Sequence, residues 1–323
     1  MPADGERDGI RFLVVFACLV VLVECVAGAI IPRQLGRHEV DRRTADVAKT
    51  VNPPRVVFLS DSVSYEALGG ADESVGVLDL SSNQVIGVPG NLFMLQRLLD
   101  SLGPDSAEIQ RVVYAITPYS LDENVDATKY MAAYFTSVFQ EPREIELIQD
   151  VLGREDLASG MREGRRFRWL EPPLAKRSGV VRDPLGLVLR DIKVRQRRGG
   201  GIPQELTQQA QDFIDRYAAR TKVNASQATA LFLPRLAQLC AERGIDLRVV
   251  TAPTAPSVSA AWADNGFAED FDRFRSDILD ANPGMSWIHP CPYSPPSDAA
   301  FYDGSHLVQD AKDEWGQVLQ TLL

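Results

Sequence analysis

The sequence predicts an α/β domain built on a parallel β-sheet. Short, continuous apolar runs, typical of strands buried on both faces, alternate along the chain with longer segments that carry apolar residues at helical spacing. Such alternation is typical of a parallel sheet covered by helices on both sides. The composition, 45% hydrophobic and 24% charged over 323 residues, is that of a globular protein able to bury a sizeable core.

Five strands and a series of helices are predicted in chain order. The predicted strands cover residues 56–59, 75–80, 111–116, 247–251 and 286–289. Helical spacing of apolar residues marks segments 92–102, 144–152, 205–220, 225–243 and 260–279, and Asn224 is interpreted as the N-cap of the fourth. A last helix would carry one apolar face, made of Leu307, Ala311, Trp315, Val318, Leu319 and Leu322.

The domain organisation follows from where this alternation starts and where it is interrupted. Residues 33–54 are polar and end in the sequence NPP, which is typical of a linker, and residues 55–323 form the α/β domain. Residues 120–235 separate the third and fourth strands and are interpreted as a helical insertion. Within it, residues 154–198 carry thirteen Lys/Arg against six Asp/Glu. A solvated helical segment explains this excess, and a basic face for an anionic polymer or lipid head groups is the alternative.

The N-terminal segment, residues 1–32, is predicted to be a membrane anchor. From Phe12 to Ile31 nearly every residue is apolar, and Glu24 is the only charge. A helix of this length rises about 30 Å, enough to cross the hydrocarbon core of a bilayer. A signal peptide cleaved near residues 27–29 is the main alternative, and lipidation at Cys25 is a weaker one. The length of the apolar run favours an uncleaved anchor.

Charge and cysteine usage exclude several classes of function. The formal net charge of −10 argues against a general nucleic-acid binder. Neither a Cys/His spacing typical of zinc sites nor a glycine-rich phosphate loop occurs in the sequence, so no cofactor and no metal are expected. Of the four cysteines, Cys18 and Cys25 fall in the apolar run, which leaves Cys240 and Cys291 as a potential disulfide pair.

Two short polar motifs near opposite ends of the domain predict a nucleophilic serine. Ser62 ends an SDS sequence after the first predicted strand, whereas Asp303 and His306 lie on the loop after the fifth. A histidine can take the proton of a serine hydroxyl near neutral pH, and a carboxylate three residues away can hold its Nδ1. Because loops at the carboxyl ends of parallel strands share one edge of the sheet, we expect these groups to meet there. His289 is instead interpreted as a strand-end packing residue.

On these motifs the chain resembles the SGNH (GDSL-type) hydrolase superfamily. The family's first block, Gly-Asp-Ser, is similar to Ser60-Asp61-Ser62, with serine in place of glycine, and its last block, Asp-x-x-His, is matched by residues 303–306. The resemblance covers about residues 55–120 and 245–323. It implies a flavodoxin-like three-layer sandwich in which Ser62 is the nucleophile, His306 the base and Asp303 the partner that orients the base.

The resemblance also implies an oxyanion hole, with the Ser62 backbone N–H as one donor. The family's second block supplies a glycine N–H, for which Gly90 is the closest match and Gly87 the second. The third block usually reads Gly-x-Asn-Asp, but this chain reads AITPY after its third strand. Loss of one such donor costs about 10²–10³ in rate. Three substitutes stay open, namely Thr117, Asn91 and Asn83.

The anchor, the altered third block and the long insertion are similar to the auxiliary SGNH proteins of cell-envelope acylation, such as the alginate O-acetyltransferase group and the D-alanyl-transfer proteins of teichoic acids. That resemblance implies an extracytoplasmic domain, an acyl ester or polysaccharide substrate and a multi-span membrane O-acyltransferase as partner. The six arginines that flank the span favour a cytoplasmic domain instead, because more of them follow the span than precede it. A non-catalytic SGNH-like scaffold that binds a polymer or a membrane partner is the alternative, and a secreted lipase-type hydrolase is a third interpretation.

Overall fold

The computed structural model describes residues 53–61, 63–64, 67–68, 76–81, 86–122, 132, 135–136, 138–166 and 207–323, together with Leu19. The predicted anchor, apart from Leu19, and the predicted linker up to residue 52 therefore lie outside the described residues. Within those ranges, none of the helices is both long enough and apolar enough to span a bilayer.

Five parallel strands form a single sheet. They are β1 (Val56–Ser60), β2 (Val77–Asp79), β3 (Arg111–Ile116), β4 (Asp246–Thr251) and β5 (Met285–Ile288). Their order across the sheet is β2-β1-β3-β4-β5. The predicted α/β class with a five-stranded parallel sheet is confirmed. The bounds of β3 agree with the prediction, and the other strands differ from it by one or two residues at their ends.

The strand order determines where a ligand crevice can form. The chain passes from β1 outward to β2 and then crosses to β3 on the other side of β1, so the direction of winding reverses between β1 and β3. In open α/β sheets the crevice lies outside the carboxyl ends of the strands at this point. In register, Ser60 at the end of β1 pairs with Ala115 near the end of β3. The residues that follow these two strands are therefore neighbours at one edge.

Eight helices are described along with the strands. They are α1 (Gly87–Leu102), α2 (Pro142–Leu152), α3 (Glu155–Arg166), α4 (Gln208–Ala218), α5 (Gln227–Glu242), α6 (Pro256–Asn265), α7 (Phe267–Ala281) and α8 (Gln309–Leu322). Helices α2 to α5 lie between β3 and β4 along the chain; α2 to α4 fall within the segment predicted as a helical insertion, and α5 begins in it and continues past residue 235. Aromatic rings join this segment to α1, since Phe93 lies 5.3 Å from Phe139 and 6.0 Å from Phe232 between ring centroids. The insertion thus shares a core with the sheet domain.

Three local predictions were wrong. Ser226, not Asn224, caps α5, and its Oγ accepts the Thr229 backbone N–H at 3.1 Å. The helix predicted over residues 260–279 is divided into α6 and α7 by Gly266, whose φ of +86° is left-handed and ends a helix readily. Cys240 and Cys291 are free thiols, not a disulfide. Burial raises the pKa of each thiol to about 12, so both stay protonated at neutral pH.

Helix α8 lies directly against the turn that follows β1. The Trp315 Nε1–H donates to Ser64 Oγ at 2.9 Å, and a Cβ on Gly316 would overlap the Ala67 carbonyl oxygen. Because the clash is with backbone, a side-chain rotation cannot relieve it. We expect Gly316→Ala to lower the free energy of unfolding by about 2–3 kcal/mol, as overpacking does, measured by urea denaturation.

Gly284→Ala is the matched control for this substitution. The nearest atom to a Cβ on Gly284 is the Ala241 Cβ at 3.9 Å, an ordinary van der Waals contact. We expect this variant to unfold within about 0.5 kcal/mol of the wild type, as surface substitutions usually do. Equal unfolding midpoints for the two glycine variants would contradict the close approach of α8 to the turn.

Candidate active site

The loop between β5 and α8 folds back on itself into a tight turn. Phe301 and Leu307 form an isolated antiparallel bridge, and the Tyr302 N–H donates to the His306 carbonyl at 3.0 Å. Gly304 lies at the tip with a φ of +87°, a conformation that L side chains rarely adopt. A Cβ there would also lie 2.7 Å from the Phe213 Cβ and 2.8 Å from the Ala210 carbonyl oxygen of α4. Backbone conformation and packing against α4 therefore both require glycine, and they fix the turn in place.

The turn brings the carboxylate of Asp303 onto the imidazole of His306. The Nδ1 atom lies 2.8 Å from Oδ2 and 3.0 Å from Oδ1, and Oδ1 also accepts the backbone N–H of His306 at 2.9 Å. An ionised carboxylate only accepts hydrogen bonds, so the neutral imidazole carries its proton on Nδ1. Nε2 is then the nitrogen that can act as a base. The contact expected from the three-residue spacing is present.

Asp303 is held in its ionised form. Burial raises its pKa, but the hydrogen bonds and charge of His306, together with the backbone N–H of Ser305, outweigh burial and bring the pKa below its usual value. A carboxyl whose pKa is lowered on folding stabilises the fold above its unfolded pKa, and the effect is lost as the pH falls through the folded pKa. Asp303 is therefore a carboxylate throughout the neutral range.

Ser305 belongs to the same cluster, although sequence reasoning did not single it out. Its Oγ lies 3.0 Å from Asp303 Oδ1 and 2.9 Å from His306 Nδ1. The face of the imidazole is covered by the ring of Tyr302, with centroids 5.6 Å apart and planes 24° from parallel. Ser305 occupies a variable position of the Asp-x-x-His motif, and Tyr302 directly precedes the motif. Their residue types therefore did not predict these contacts.

A second buried carboxylate, Asp61, lies at the end of β1. Its Oδ1 accepts the Val63 N–H at 3.0 Å, and its Oδ2 accepts the Thr117 hydroxyl at 2.8 Å. Burial raises the pKa of Asp61, and the hydrogen bonds from Thr117 and Val63 and the charge of His306 act in the opposite direction. The segment that follows β3 contacts both this turn and the loop before α8, because Thr117 donates to Asp61 and the Tyr119 hydroxyl lies 3.5 Å from the Ser305 carbonyl oxygen. Sequence reasoning had given Asp61 no role of its own.

Ser62 itself lies outside the described residues, as does Asn83. The residues on both sides of Ser62 are nevertheless anchored at the crevice edge. Asp61 and Val63 are 7% and 0% exposed, and Ser64 accepts the hydrogen bond from Trp315 in α8. The chain on either side of Ser62 is therefore tied to β3 and to the C-terminal helix.

The described oxyanion candidates are engaged in other contacts. Thr117 gives its hydroxyl to Asp61 at 2.8 Å, and its backbone N–H is among the groups that lower the pKa of that carboxyl. Gly90 is the fourth residue of α1, where an amide ordinarily donates within the helix, and a Cβ on it would lie 2.9 Å from the Phe139 ring. Close helix packing thus explains this glycine without an oxyanion role.

Asn91 is the remaining described candidate. It is 2% exposed, and its Nδ2 donates to the Gly87 carbonyl at 2.9 Å. Its Oδ1 has no hydrogen-bond partner among the described residues, but an amide oxygen accepts and cannot stabilise an oxyanion. In this arrangement, the geometry does not identify a second donor among the described side chains.

His289 directly follows β5 and packs against the Phe271 ring of α7, with ring centroids 5.0 Å apart. The Trp287 Nε1–H donates to Thr251 Oγ1 at 3.1 Å, and that hydroxyl lies 3.1 Å from His289 Nδ1. Burial lowers the pKa of His289, which favours its neutral form. These contacts agree with its interpretation as a packing residue at the strand end.

The described geometry provides a histidine that is oriented by an ionised carboxylate and lies at the sheet edge to which β1 leads. Such a pair can accept a proton from a hydroxyl and return it to a leaving group. No protein-family model matches the chain, and no curated protein sequence matches it.

Proposed function

We propose that the protein is a serine-dependent esterase or O-acyltransferase of the SGNH (GDSL-type) kind, acting on envelope polysaccharide or another acyl ester. The observation that carries the proposal is the Asp303–His306 pair, in which His306 Nδ1 lies 2.8 Å from Asp303 Oδ2. This pair lies at the sheet edge reached by the end of β1, the strand that precedes Ser62. The strand order is that of flavodoxin-like folds, which supports a three-layer sandwich with its site at the β1/β3 edge.

The reaction follows from the roles of three side chains. The Ser62 hydroxyl oxygen attacks the acyl carbonyl carbon while its proton passes to His306 Nε2, and a tetrahedral intermediate forms. When this intermediate collapses, the bond to the leaving alcohol breaks and the imidazolium returns the proton to that alcohol. The acyl-Ser62 ester is then attacked by a second hydroxyl, of water or of a sugar, with the same proton transfers. Asp303 keeps the ring in the required tautomer and stabilises the imidazolium.

The fixed surroundings of residue 62 support this role. Asp61 and Val63 form a turn closed by the 3.0 Å hydrogen bond between them, and Thr117 ties that turn to β3. The residues before and after position 62 are therefore held at the crevice edge. Positioning of this kind supplies much of the rate enhancement in intramolecular catalysis.

The proposed location and partner rest on the apolar N-terminal run, which lies outside the described residues. A single-pass anchor with the domain on the extracytoplasmic side would hold the crevice beside a multi-span membrane O-acyltransferase. That enzyme would supply the acyl group for transfer to an envelope polymer. A cytoplasmic domain, which the flanking arginines favour, would exclude this partnership.

One observation favours the alternative of a catalytically weak scaffold. The Thr117 hydroxyl donates to Asp61 at 2.8 Å, so this side chain, which follows β3, offers no donor to an oxyanion. A site with only one donor would be slower by about 10²–10³. In that case the crevice would bind a polymer or a membrane acyltransferase without turnover.

Acetyl-group transfer by the purified full-length chain separates these functions. We expect hydrolysis of a chromogenic acetyl ester, and we expect part of the acetyl group to appear on a deacetylated acidic polysaccharide when one is added. The Ser62→Ala variant measures the background from contaminating esterases. Polysaccharide binding without acetyl transfer or acetate release, equal in wild type and variant, would support the scaffold and contradict the enzyme.

A further inference from the structure

We propose that Ser305 is a positioning residue for His306 that acts through Asp303, so that the loop contains a Ser-Asp-His network and not only an Asp-His pair. This inference rests on the proposed function to the extent that His306 is the base. Ser305 is 6% exposed, and its hydroxyl lies within hydrogen-bonding distance of both other side chains.

The direction of each hydrogen bond in the network follows from the charges. The ionised Asp303 has no proton to give, so the Ser305 O–H donates to Oδ1 across 3.0 Å. The same oxygen keeps a lone pair that faces the Nδ1–H of His306 at 2.9 Å. This single Nδ1–H is shared between the Ser305 oxygen and Asp303 Oδ2, which lies 2.8 Å from Nδ1. The three side chains therefore form a closed network of hydrogen bonds. This network is satisfied only by the tautomer of His306 that carries its proton on Nδ1.

Ser305 is itself held in place at several points. Its backbone N–H donates to Asp303 Oδ1 at 3.1 Å, and its carbonyl oxygen lies 3.5 Å from the Tyr119 hydroxyl. Gly304, directly before it, packs against α4 too closely for any side chain. A hydroxyl on so rigid a segment loses little entropy when it orients the carboxylate. It fixes the rotation of that carboxylate about its Cβ–Cγ bond and so keeps Oδ2 in line with Nδ1.

The alternative role of Ser305, as the nucleophile itself, does not fit this geometry. Its hydroxyl contacts His306 through Nδ1, the nitrogen that already carries the proton donated to Asp303. A base must offer a lone pair to the hydroxyl, and here only Nε2 has one. The side chain is also buried, which leaves no approach for an acyl carbonyl.

Nitrogen-15 NMR of histidine in the full-length chain tests the inference, because only three histidines contribute signals. We expect His306 in the wild type to show the Nδ1–H tautomer with a slowly exchanging proton. In Ser305→Ala we expect that proton to exchange about tenfold faster, the factor that one hydrogen bond to a charged group commonly supplies. Ser305→Thr, which keeps the hydroxyl, should restore slow exchange. An unchanged tautomer and exchange rate in folded Ser305→Ala would overturn the proposal.

Turnover of the acetyl ester separates this inference from the proposed function. We expect Ser305→Ala to lower kcat about tenfold and leave KM unchanged, whereas Ser101→Ala, which removes a hydroxyl bonded at 2.7 Å to the Arg97 carbonyl, should change neither. If the wild type hydrolyses no ester while the NMR difference is seen, Ser305 keeps its role and the enzyme assignment fails. If turnover proceeds and Ser305→Ala matches the wild type in kcat and proton exchange, the enzyme assignment stands and the role of Ser305 is refuted.

Discussion

Replacing Asp303 by asparagine is expected to lower kcat for an acetyl ester by about 10⁴, the factor seen when the carboxylate of a Ser-His-Asp triad is made neutral. Asparagine keeps an Oδ1 that can still accept the backbone N–H groups of Ser305 and His306, at 3.1 and 2.9 Å in the wild type. The turn should therefore persist. The new Nδ2 donates, however, and would face Nδ1. The imidazole then carries its proton on Nε2, where it cannot accept one from Ser62.

The matched control for this substitution is Asp298→Asn. Asp298 also lies on the segment between β5 and α8, and its Oδ1 accepts the Ser257 backbone N–H at 2.9 Å. Asparagine can make the same contact, so we expect activity within about twofold of the wild type, since surface substitutions change stability by under about 0.5 kcal/mol. Steady-state kinetics and thermal unfolding of both variants provide the comparison. If Asp303→Asn retained more than a tenth of the wild-type kcat, Asp303 would not be setting the tautomer.

Removing Glu144 is expected to destabilise the protein by about 3–5 kcal/mol, as loss of one partner of a buried ion pair does. Glu144 is fully buried and binds Arg97 through two parallel hydrogen bonds of 2.7 and 2.9 Å. Arg97 also donates to the Val138 carbonyl at 3.1 Å and lies over the Phe139 ring. In Glu144→Ala this guanidinium stays buried, and the half-exposed Glu141, 3.6 Å away, replaces the lost charge only in part.

The Arg97–Glu144 ion pair connects α1 of the sheet domain to α2 of the insertion. Unfolding of the Glu144→Ala variant therefore shows whether the sheet domain and the insertion unfold together. Urea denaturation followed by circular dichroism should show one transition displaced to lower urea. Glu155→Ala is the control, because Glu155 pairs with Arg162 on the surface and is 63% exposed. Exposed pairs contribute about 0–1 kcal/mol. Two separate transitions in Glu144→Ala would contradict a shared core.

The sheet could be predicted because each of its strands carries a local signal. The run RVVYAI predicted β3 with the observed bounds, since a strand buried on both faces needs continuous apolar side chains. Helix ends were less predictable. Asn224 and Ser226 are both residue types that cap helices well. Which of them caps α5 depends on where the helix first packs against the rest of the domain, and this tertiary contact cannot be inferred from local sequence. The apolar spacing of α6 and α7 continues past Gly266, so periodicity alone hid the break.

The candidate site was predictable only as far as its motif residues. Asp303 and His306 contact each other within one turn, so their spacing was informative. The contact between Asp61 and Thr117 joins residues 56 positions apart, and sequence spacing says nothing about such a pair. It matters because it gives Thr117 a structural role where a substitute oxyanion donor had been expected. The role of Ser305 depends on the direction of its side chain, which residue type does not reveal.

The most direct test of the central claim, that His306 activates Ser62, is covalent labelling of the full-length chain with a serine-directed phosphonate. Peptide mass spectrometry then locates the adduct. We expect the adduct on Ser62 in the wild type, and none on Ser62 in His306→Ala after the same exposure. An adduct on another serine in the wild type, or equal labelling of Ser62 in both proteins, would contradict the account.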